Sequence, residues 1–478
     1  LVEVRDRRDA RAVVLGAYFL LAAQALFRSD LPMALYLALA LGVVTAAWLA
    51  AERATPGGGP LAHWRPAAAL LVQALPLAAV LFLLFPRLPG PLWGLPESSD
   101  SGVTGLSDRL EPGAIGRLAR SDAVAFRVTF ADGAPPVGER YFRGPVLAAF
   151  DGRRWSRREA TEGRLRADYA GAAVRHTVTL QPHHRPWLFA LDRPRSVPPH
   201  AELAADATLL AEEPVRELRR YTVVSHPEAR LDAAHRPAAE LTALPAEAHP
   251  RARALAGRWR SAAADDARVV ERALAFFRDQ DFTYTLSPPP LPERPVDRFL
   301  FDTRAGFCGH FASALAVLLR AADIPARVVT GYLGAERRPE QDFWVVRQSH
   351  AHAWVEAWLP GGGWRRLDPT VAAAPRRVSD GLARSVAAGD PVPLMARPGG
   401  GWLKELRWQW EGLEAAWNRW VLAYNARRQD SLLGRLGLDD WRWRALALAG
   451  AGLLALGLAA LWVLGRPRPR EPRAQRLE

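Results

Sequence analysis

The sequence predicts membrane-spanning α-helices at both ends of the chain and an α+β region between them. Four apolar stretches approach the roughly 20 helical residues that cross a bilayer, and they are residues 12–27, 32–51, 67–85 and 445–465. Short alternating runs between residues 123 and 225 are typical of strands. Apolar residues at three- and four-residue spacing from residue 254 onward are typical of helices. The 18 Trp and 17 Phe supply enough apolar area to exclude a disordered chain.

The arginines that flank the apolar stretches give them an orientation. They cluster before the first stretch (5–11), between the second and third (53–65) and after the last (466–476). An even number of crossings separates these clusters, so all of them fall on one side, which the positive-inside rule makes the cytoplasmic side. We therefore expect a multi-pass protein of the cytoplasmic membrane with residues 87–443 outside, in the periplasm or its equivalent. The alternative, buried helices of a large soluble core, is disfavoured by this charge pattern.

Changes in composition divide the chain into six segments. We predict transmembrane helices (1–86), a β-rich extracytoplasmic domain (87–244), an α+β core (245–376), a linker with an amphipathic helix (377–443), a transmembrane helix (444–466) and a cytoplasmic tail (467–478). The apolar stripe of the amphipathic helix, from Trp402 to Tyr424, predicts packing on the protein itself or at the membrane interface. Because Leu1 is not a methionine and no leader precedes the first apolar stretch, we expect the complete protein to begin upstream.

The chain has one cysteine, Cys308, and this limits its chemistry. One thiol cannot form an intrachain disulfide or a cysteine-rich zinc site. Cys308 begins a helical pattern over residues 308–324, whose apolar residues share one face. The unpaired amides and the positive dipole end of a helix stabilise a thiolate in its first turn. Cys308 is therefore a candidate nucleophile, although a lone buried cysteine is more often inert.

Two later residues complete a candidate triad. His352 lies in an extended run that ends at Trp358, and after a Pro-Gly-Gly-Gly turn the chain returns from Trp364 to Asp368. If Trp358 lies opposite residue 362 or 364, alternation places His352 and Asp368 on one face, within hydrogen-bonding reach. A carboxylate that orients an imidazole beside a thiol is the Cys-His-Asp form of the nucleophilic triad.

These three residues fall within motifs that resemble a known family. GFCGHFASALAVLLRAADIPARVVTGY (306–332), HAHAWVEAWLPGGGW (350–364) and RLDPT (366–370) are similar to the three motifs of the transglutaminase-like superfamily. Residues 91–113, 140–155 and 417–438 resemble bacterial membrane-anchored transglutaminase-like proteins of the TgpA type. The resemblance implies a papain-like transglutaminase core at 245–376 and more than three N-terminal helices. It also implies that Cys308 is the nucleophile, His352 the general base and acid, and Asp368 the orienting carboxylate.

Two positions depart from the motif of the family. The residue after the cysteine is usually Glu and here is Gly309, and the residue two before the catalytic histidine is usually Asp and here is His350. If residues 350 and 352 lie in one strand, their side chains share a face about 6.5–7 Å apart. Cys308 and the imidazoles of His310, His350 and His352 form an alternative metal cluster. The triad is the favoured interpretation, with no metal and no cofactor.

The predicted function is acyl transfer on protein or peptide substrates outside the cytoplasmic membrane. The Cys308 thiolate attacks a glutamine carboxamide or a peptide carbonyl to form a thioester, and the oxyanion is held by the Cys308 amide and, as a candidate, Tyr284. An amine then completes a transglutaminase reaction, whereas water completes that of a deamidase or peptidase, and the same three residues serve both.

The alternative from another class is a non-catalytic scaffold that binds cell-wall or protein partners, which an intact triad disfavours. The lipid bilayer is a further expected partner. Nucleic acid is not an expected partner, because residues 87–443 are expected outside the cytoplasm and the net charge of +13 includes the arginines on the cytoplasmic side.

Overall fold

The structure is a computed structural model, which describes residues 7–27, 30–52, 63–84, 105–111, 114–158, 165–337, 341–379, 385–386, 389–396, 401–422 and a few positions beyond (429, 431–432, 434 and 452). The apolar stretch predicted at 445–465, apart from residue 452, and the tail after it lie outside the described residues. The chain divides into two compact units, one from Leu1–Glu97 with Arg407–Glu478 and the other from Ser98–Leu406. Each unit is described by itself.

Three long helices form the described N-terminal part of the first unit: α1 Arg7–Phe27, α2 Leu31–Glu52 and α3 Trp64–Leu84. Among the described helices, two segments are long and apolar enough to be candidate membrane spans, and they are Leu31–Ala51 and Trp64–Leu83. Both carry large apolar side chains on their outer surface, such as Leu39 and Val72. The Tyr18 hydroxyl of α1 lies 2.9 Å from the Thr45 hydroxyl of α2, a polar contact of the kind that joins helices in a bilayer.

The second unit holds the strands and the shorter helices. The strands are β1 Arg109–Leu110, β2 Val124–Phe130, β3 Tyr141–Leu147, β4 Ala149–Phe150, β5 Trp155–Ser156, β6 Ala167–Asp168, β7 Val174–Leu180, β8 Trp187–Leu188, β9 Ala190–Leu191, β10 Ala201–Leu203, β11 Leu209–Ala211, β12 Arg219–Ser225, β13 Arg230–Leu231, β14 Thr283–Tyr284, β15 Ala305–Gly306, β16 Ala326–Leu333, β17 Trp344–Arg347, β18 Ala351–Leu359 and β19 Gly363–Leu367. The helices are α4 Ala114–Ala119, α5 Pro250–Ser261, α6 Asp266–Asp279, α7 Pro295–Arg298, α8 Cys308–Ala321, α9 Pro369–Ala373 and α10 Arg376–Ser379. The next helix, α11 Trp402–Trp417, begins in the second unit, and its residues from Arg407 onward belong to the first.

A seven-stranded sheet with the order β6-β13-β19-β18-β16-β3-β9 forms the centre of this unit. Strands β16 and β18 are buried at every position, and this includes their polar residues Arg327, Thr330, His352 and Glu356. The sheet needs a glycine at Gly331 of β16, because a Cβ there would collide with the backbone oxygen of Phe142 in β3. Smaller sheets have the orders β12-β7-β2-β17, β1-β5-β4, β10-β11-β8 and β14-β15.

The predicted β-rich segment and the predicted core share their two largest sheets. Strands β3, β6, β9 and β13 come from residues 87–244, yet they extend the sheet of β16, β18 and β19. Conversely, β17 from the core adds to the sheet of β12, β7 and β2. The α+β class is confirmed, but residue 244 does not separate two independent sheets.

Helix α8 is the central buried helix and packs against β16 and β18. Helices α5, α6 and α9 also pack on it, so its apolar residues are covered on all sides. The side chain of Arg320 in its last turn donates to the carbonyl oxygens of Ala326, Ala243 and Ala148, which ties the end of the helix to its surroundings. This packing fixes the position of the first turn, where Cys308 lies.

Candidate active site

Cys308 is the first residue of α8, and its side chain is fully buried. The preceding residue, Phe307, is extended with φ −121°, so the chain enters the helix directly from β15. The backbone N–H of Phe307 donates to Nδ1 of His310, 3.3 Å away, which holds the first turn in place. Because the first amides of a helix lack intrahelical partners, they and the helix dipole favour negative charge at this sulfur.

His352 and Asp368 meet across the hairpin of β18 and β19. Trp358 pairs with Trp364, one of the two registers that the sequence allows. The result is a distance of 2.7 Å between Nε2 of His352 and Oδ2 of Asp368. Nδ1 of His352 has no hydrogen-bond partner within the described residues, and Cys308 is close enough to be among the groups that raise the pKa of this imidazole. The three residues predicted as a triad are therefore brought together.

Asp368 is held by three further donors. The Tyr141 hydroxyl donates to Oδ2 over 2.8 Å, and the backbone N–H groups of Thr370 and Val371 donate to Oδ1 over 2.9 and 3.3 Å. These two amides belong to the first turn of α9, which Asp368 caps. Burial by itself would raise the pKa of Asp368, but His352 and these hydrogen bonds hold the pKa below its ordinary value. The carboxylate therefore stays charged beside the imidazole.

The imidazole of His352 is fully buried, and its pKa is shifted by opposing effects. Burial lowers the pKa, whereas the charge and hydrogen bond of Asp368 and the neighbouring Cys308 raise it, with a net rise from 6.5 to about 9. A protonated His352 is thus favoured near neutral pH. A protonated imidazole between a carboxylate and a thiol is suited to stabilise the thiolate and later to give its proton to a leaving group.

A buried ion network lies behind the triad, and sequence reasoning missed it. Glu356 of β18 pairs with Arg143 over 2.6 Å and with Arg327 over 2.8 Å. Asp192 joins Arg143 to Arg366, whose guanidinium lies 4.0 Å from the ring centroid of Tyr141. Because removal of one partner leaves an uncompensated buried charge, this network fixes β3 and β19 against β18. Arg143 lies in the segment 140–155, which resembles TgpA-type proteins, but no local pattern indicates that it pairs with Glu356, 213 residues away.

His350 is not in the strand of His352, so the prediction that the two share a strand face is wrong. Residues Gln348–His350 form a 3₁₀ turn between β17 and β18. Nδ1 of His350 accepts from the backbone N–H of Arg347, and Nε2 lies 3.5 Å from Glu336. Burial would raise the pKa of Glu336, but His350 and Arg347 lower it to about 2. His350 is therefore the partner of a carboxylate outside the triad.

The alternative metal cluster finds no support in the positions of its members. His310 is bound to the Phe307 amide, His350 faces Glu336, and His352 faces Asp368. Within the part of the chain that the structure describes, no group of three or more His, Cys, Asp or Glu is placed to hold a metal ion.

The segment after α9, predicted as a linker, makes several contacts with the core. Asp390 accepts hydrogen bonds from the Thr285 hydroxyl and the Leu286 amide at the end of β14. The amide of Met395 donates to Asp122, and Arg377 donates to the backbone oxygen of Ser349. The described part of this segment is thus anchored beside β14, the strand that carries Tyr284.

A thiol at the start of a central helix, with a histidine on one strand and an aspartate directly after the neighbouring strand of an α+β fold, defines a transglutaminase-like core. Residues 253–369 match the transglutaminase-like superfamily, and residues 1–232 match the TgpA N-terminal domain. A protein-glutamine gamma-glutamyltransferase of Pseudomonas aeruginosa strain PAO1 is 40% identical over 494 residues, which cover 100% of this chain and 74% of that protein. The chain belongs to the TgpA family of transglutaminase-like proteins, and it is an enzyme homologue of that transferase.

Two further comparisons agree with this assignment. The crystal structure of the periplasmic domain of TgpA from P. aeruginosa superimposes with a TM-score of 0.58 and 42% identity, covering 59% of this chain and 100% of that one. The uncharacterized protein YebA of Bacillus subtilis strain 168 is 38% identical over 113 residues, which cover 22% of this chain and 15% of that protein.

Proposed function

We propose that the chain is a membrane-anchored cysteine acyltransferase that modifies protein or peptide substrates outside the cytoplasmic membrane through Cys308, His352 and Asp368. The observation that carries this proposal is the 2.7 Å contact between His352 and Asp368 beside a helix-start thiol. The transferase name of the P. aeruginosa relative supports a glutamine carboxamide as the acyl donor.

The geometry supports a two-step reaction. In the first step, the Cys308 sulfur bonds to the carboxamide carbon, the C–N bond breaks, and His352 gives its proton to the departing ammonia, which leaves a thioester. In the second step, a primary amine attacks the thioester carbon, His352 takes the proton of the amine, and the C–S bond breaks to release the thiolate. Asp368 keeps the imidazole oriented through both proton transfers.

Transfer and hydrolysis differ only in the acceptor, so the test must measure both. With the whole 478-residue chain in detergent, a glutamine dipeptide and hydroxylamine are expected to give a hydroxamate faster than free glutamate. This follows if the amine outcompetes water at a buried thioester. Glutamate as the main product would assign the chain as a deamidase, and absence of both products with peptide cleavage would assign it as a peptidase.

The topology is part of the proposal. Two candidate spans, the arginine clusters, and the periplasmic origin of the matching TgpA domain support it. A fluorescent protein fused after residue 478 is expected to fluoresce, because this end lies in the cytoplasm. Alkaline phosphatase inserted near Pro96 is expected to be active, because that position lies outside. The opposite pattern of the two reporters would place the thiol in the cytoplasm and refute the topology.

A further inference from the structure

Two buried polar side chains next to Cys308 have no part in the triad. Tyr284 is 4% exposed and Arg377 is 3% exposed. Tyr284 lies in β14, directly opposite Gly306 of β15, and the chain reaches Cys308 two residues later. The Tyr284 ring stacks on Phe311, with 6.4 Å between ring centroids, and Phe311 follows Cys308 by three residues in α8. The tyrosine therefore lies along the first turn of the helix that carries the thiol.

Two polar groups of this site influence the Tyr284 hydroxyl. The backbone N–H of Cys308 and the guanidinium of Arg377 each lower the pKa of Tyr284. Burial is the main cause that raises the pKa of Tyr284, and the charge of Cys308 raises it further. The phenol thus keeps its proton throughout the working pH range and can serve as a donor.

Arg377 is a buried cation with few partners. Its Nη2 donates to the backbone oxygen of Ser349 over 3.4 Å, a long hydrogen bond, and its Nε has no partner within the described residues. Ser349 belongs to the turn that precedes β18, so Arg377 lies between this turn and Tyr284. A positive charge at the phenol oxygen polarises the O–H group and makes it a stronger donor, especially in a site of low dielectric constant.

We propose that the Tyr284 hydroxyl is the second oxyanion donor of this site, beside the Cys308 backbone N–H, and that Arg377 positions and polarises that hydroxyl. The inference rests on the proposed function, since it concerns the same acyl transfer. Tyr284 touches the reacting oxygen and is a catalytic residue. Arg377 acts through Tyr284 and is a positioning residue.

The electron flow defines what Tyr284 does. When the sulfur bonds to the carbonyl carbon, the π electrons of the C=O bond move to the oxygen, which enters between the Cys308 amide and the Tyr284 hydroxyl. Both groups donate to this oxyanion without transferring a proton. When the C=O bond re-forms and the C–N bond breaks, the electrons return, and His352 supplies the proton that the leaving nitrogen needs. In free enzymes such contacts are often long and shorten only as the charge develops.

The test separates oxyanion stabilisation from thiolate reactivity. p-Nitrophenyl acetate acylates the thiol through an oxyanion, whereas iodoacetamide alkylates it by displacement at a carbon that carries none. Tyr284→Phe in the whole 478-residue chain is expected to lower the kcat for p-nitrophenyl acetate about 100-fold with little change in KM. The rate of alkylation by iodoacetamide is expected to stay within about twofold of wild type at every pH, so that its pH profile keeps the same shape.

Tyr332→Phe is the matched control, because it removes another buried hydroxyl, one that donates to Gln348 over 2.8 Å. It is expected to leave both rates unchanged. Arg377→Gln is expected to lower the kcat for p-nitrophenyl acetate about tenfold, and Arg377→Lys is expected to lower it less. In the double variant, adding Arg377→Gln to Tyr284→Phe is expected to cause no further loss, because Arg377 acts through the Tyr284 hydroxyl.

Two results would overturn the inference: wild-type acylation by Tyr284→Phe, or an equal loss of acylation and alkylation. Different results would refute the inference and the proposed function. Cys308→Ala that still turns over the ester would refute the proposed function, whereas an inactive Cys308→Ala beside a fully active Tyr284→Phe would refute only the role of Tyr284.

Discussion

Cys308→Ala is expected to abolish acyl transfer by the 478-residue chain and to remove all labelling by iodoacetamide. Cys308 is the single cysteine among 478 residues, so no other thiol can replace it or be labelled in its place. The thiolate forms the covalent bond to the acyl group, and loss of a covalent nucleophile lowers kcat by about 10⁴ or more. Hydroxamate formation and labelling measured by mass spectrometry on the same preparation give both readouts.

The control for this variant is Ser313→Ala, which changes the same helix five residues later. The Ser313 hydroxyl accepts a hydrogen bond from Nε1 of Trp155 over 2.9 Å, so its loss costs about 1 kcal/mol of stability. Turnover is expected to remain, because this hydroxyl bonds to Trp155 and not to a member of the triad. Hydroxamate formation by Cys308→Ala above the uncatalysed rate would refute the thiol mechanism, provided that thermal unfolding shows the variant to be folded.

The parts of the site that depend on local geometry could be predicted from sequence. Cys308 was identified because a helix pattern begins at it, and Asp368 because a short turn and strand alternation fix its face relative to His352. Both inferences use periodicity over fewer than 20 residues. Within such a short segment, the backbone geometry allows few alternative positions for a side chain.

The parts that depend on pairing between distant strands could not be predicted. Tyr141 bonds to Asp368 from a strand 227 residues earlier. Periodicity indicates that β3 is a strand, but its partner is selected by the packing of the whole sheet. The position of Arg377 could not be predicted either, because its segment has no hydrophobic periodicity. The structure holds this segment by single contacts, such as the hydrogen bond from Arg377 to the backbone oxygen of Ser349.

The error at His350 has a physical cause. The sequence from Asp342 to Leu359 reads as one extended run, but the 3₁₀ turn Gln348–His350 divides it. The first part pairs with β2 in one sheet, and the second part pairs with β16 in another. Because a strand cannot belong to two separated sheets without a break, tertiary pairing overrode the local preference for a continuous strand.

Asp368→Asn is expected to lower kcat by a factor of about 10³–10⁴ while the fold is kept. The N–H groups of Thr370 and Val371 donate to Oδ1 of Asp368, so an asparagine at this position would keep its oxygen there. Its NH₂ group then takes the place of Oδ2 and donates to Nε2 of His352. The imidazole proton is forced onto Nδ1, toward Cys308, and the ring can no longer accept the proton of the thiol.

Asp368→Asn is also expected to change how the stability of the fold depends on pH. Because the folded pKa of His352 is raised from 6.5 to about 9, protonated His352 stabilises the fold fully below about pH 6.5, and this contribution is lost as the pH rises through about 9. Although burial alone lowers this pKa, Asp368 is the first cause that raises it, so Asp368→Asn is expected to flatten the dependence of the melting temperature on pH between these values. Asp323→Asn, at an exposed carboxylate paired with Arg236, is the control that retains the wild-type slope and activity. An unchanged slope in Asp368→Asn, together with wild-type kcat, would show that the carboxylate does not set the charge of the imidazole.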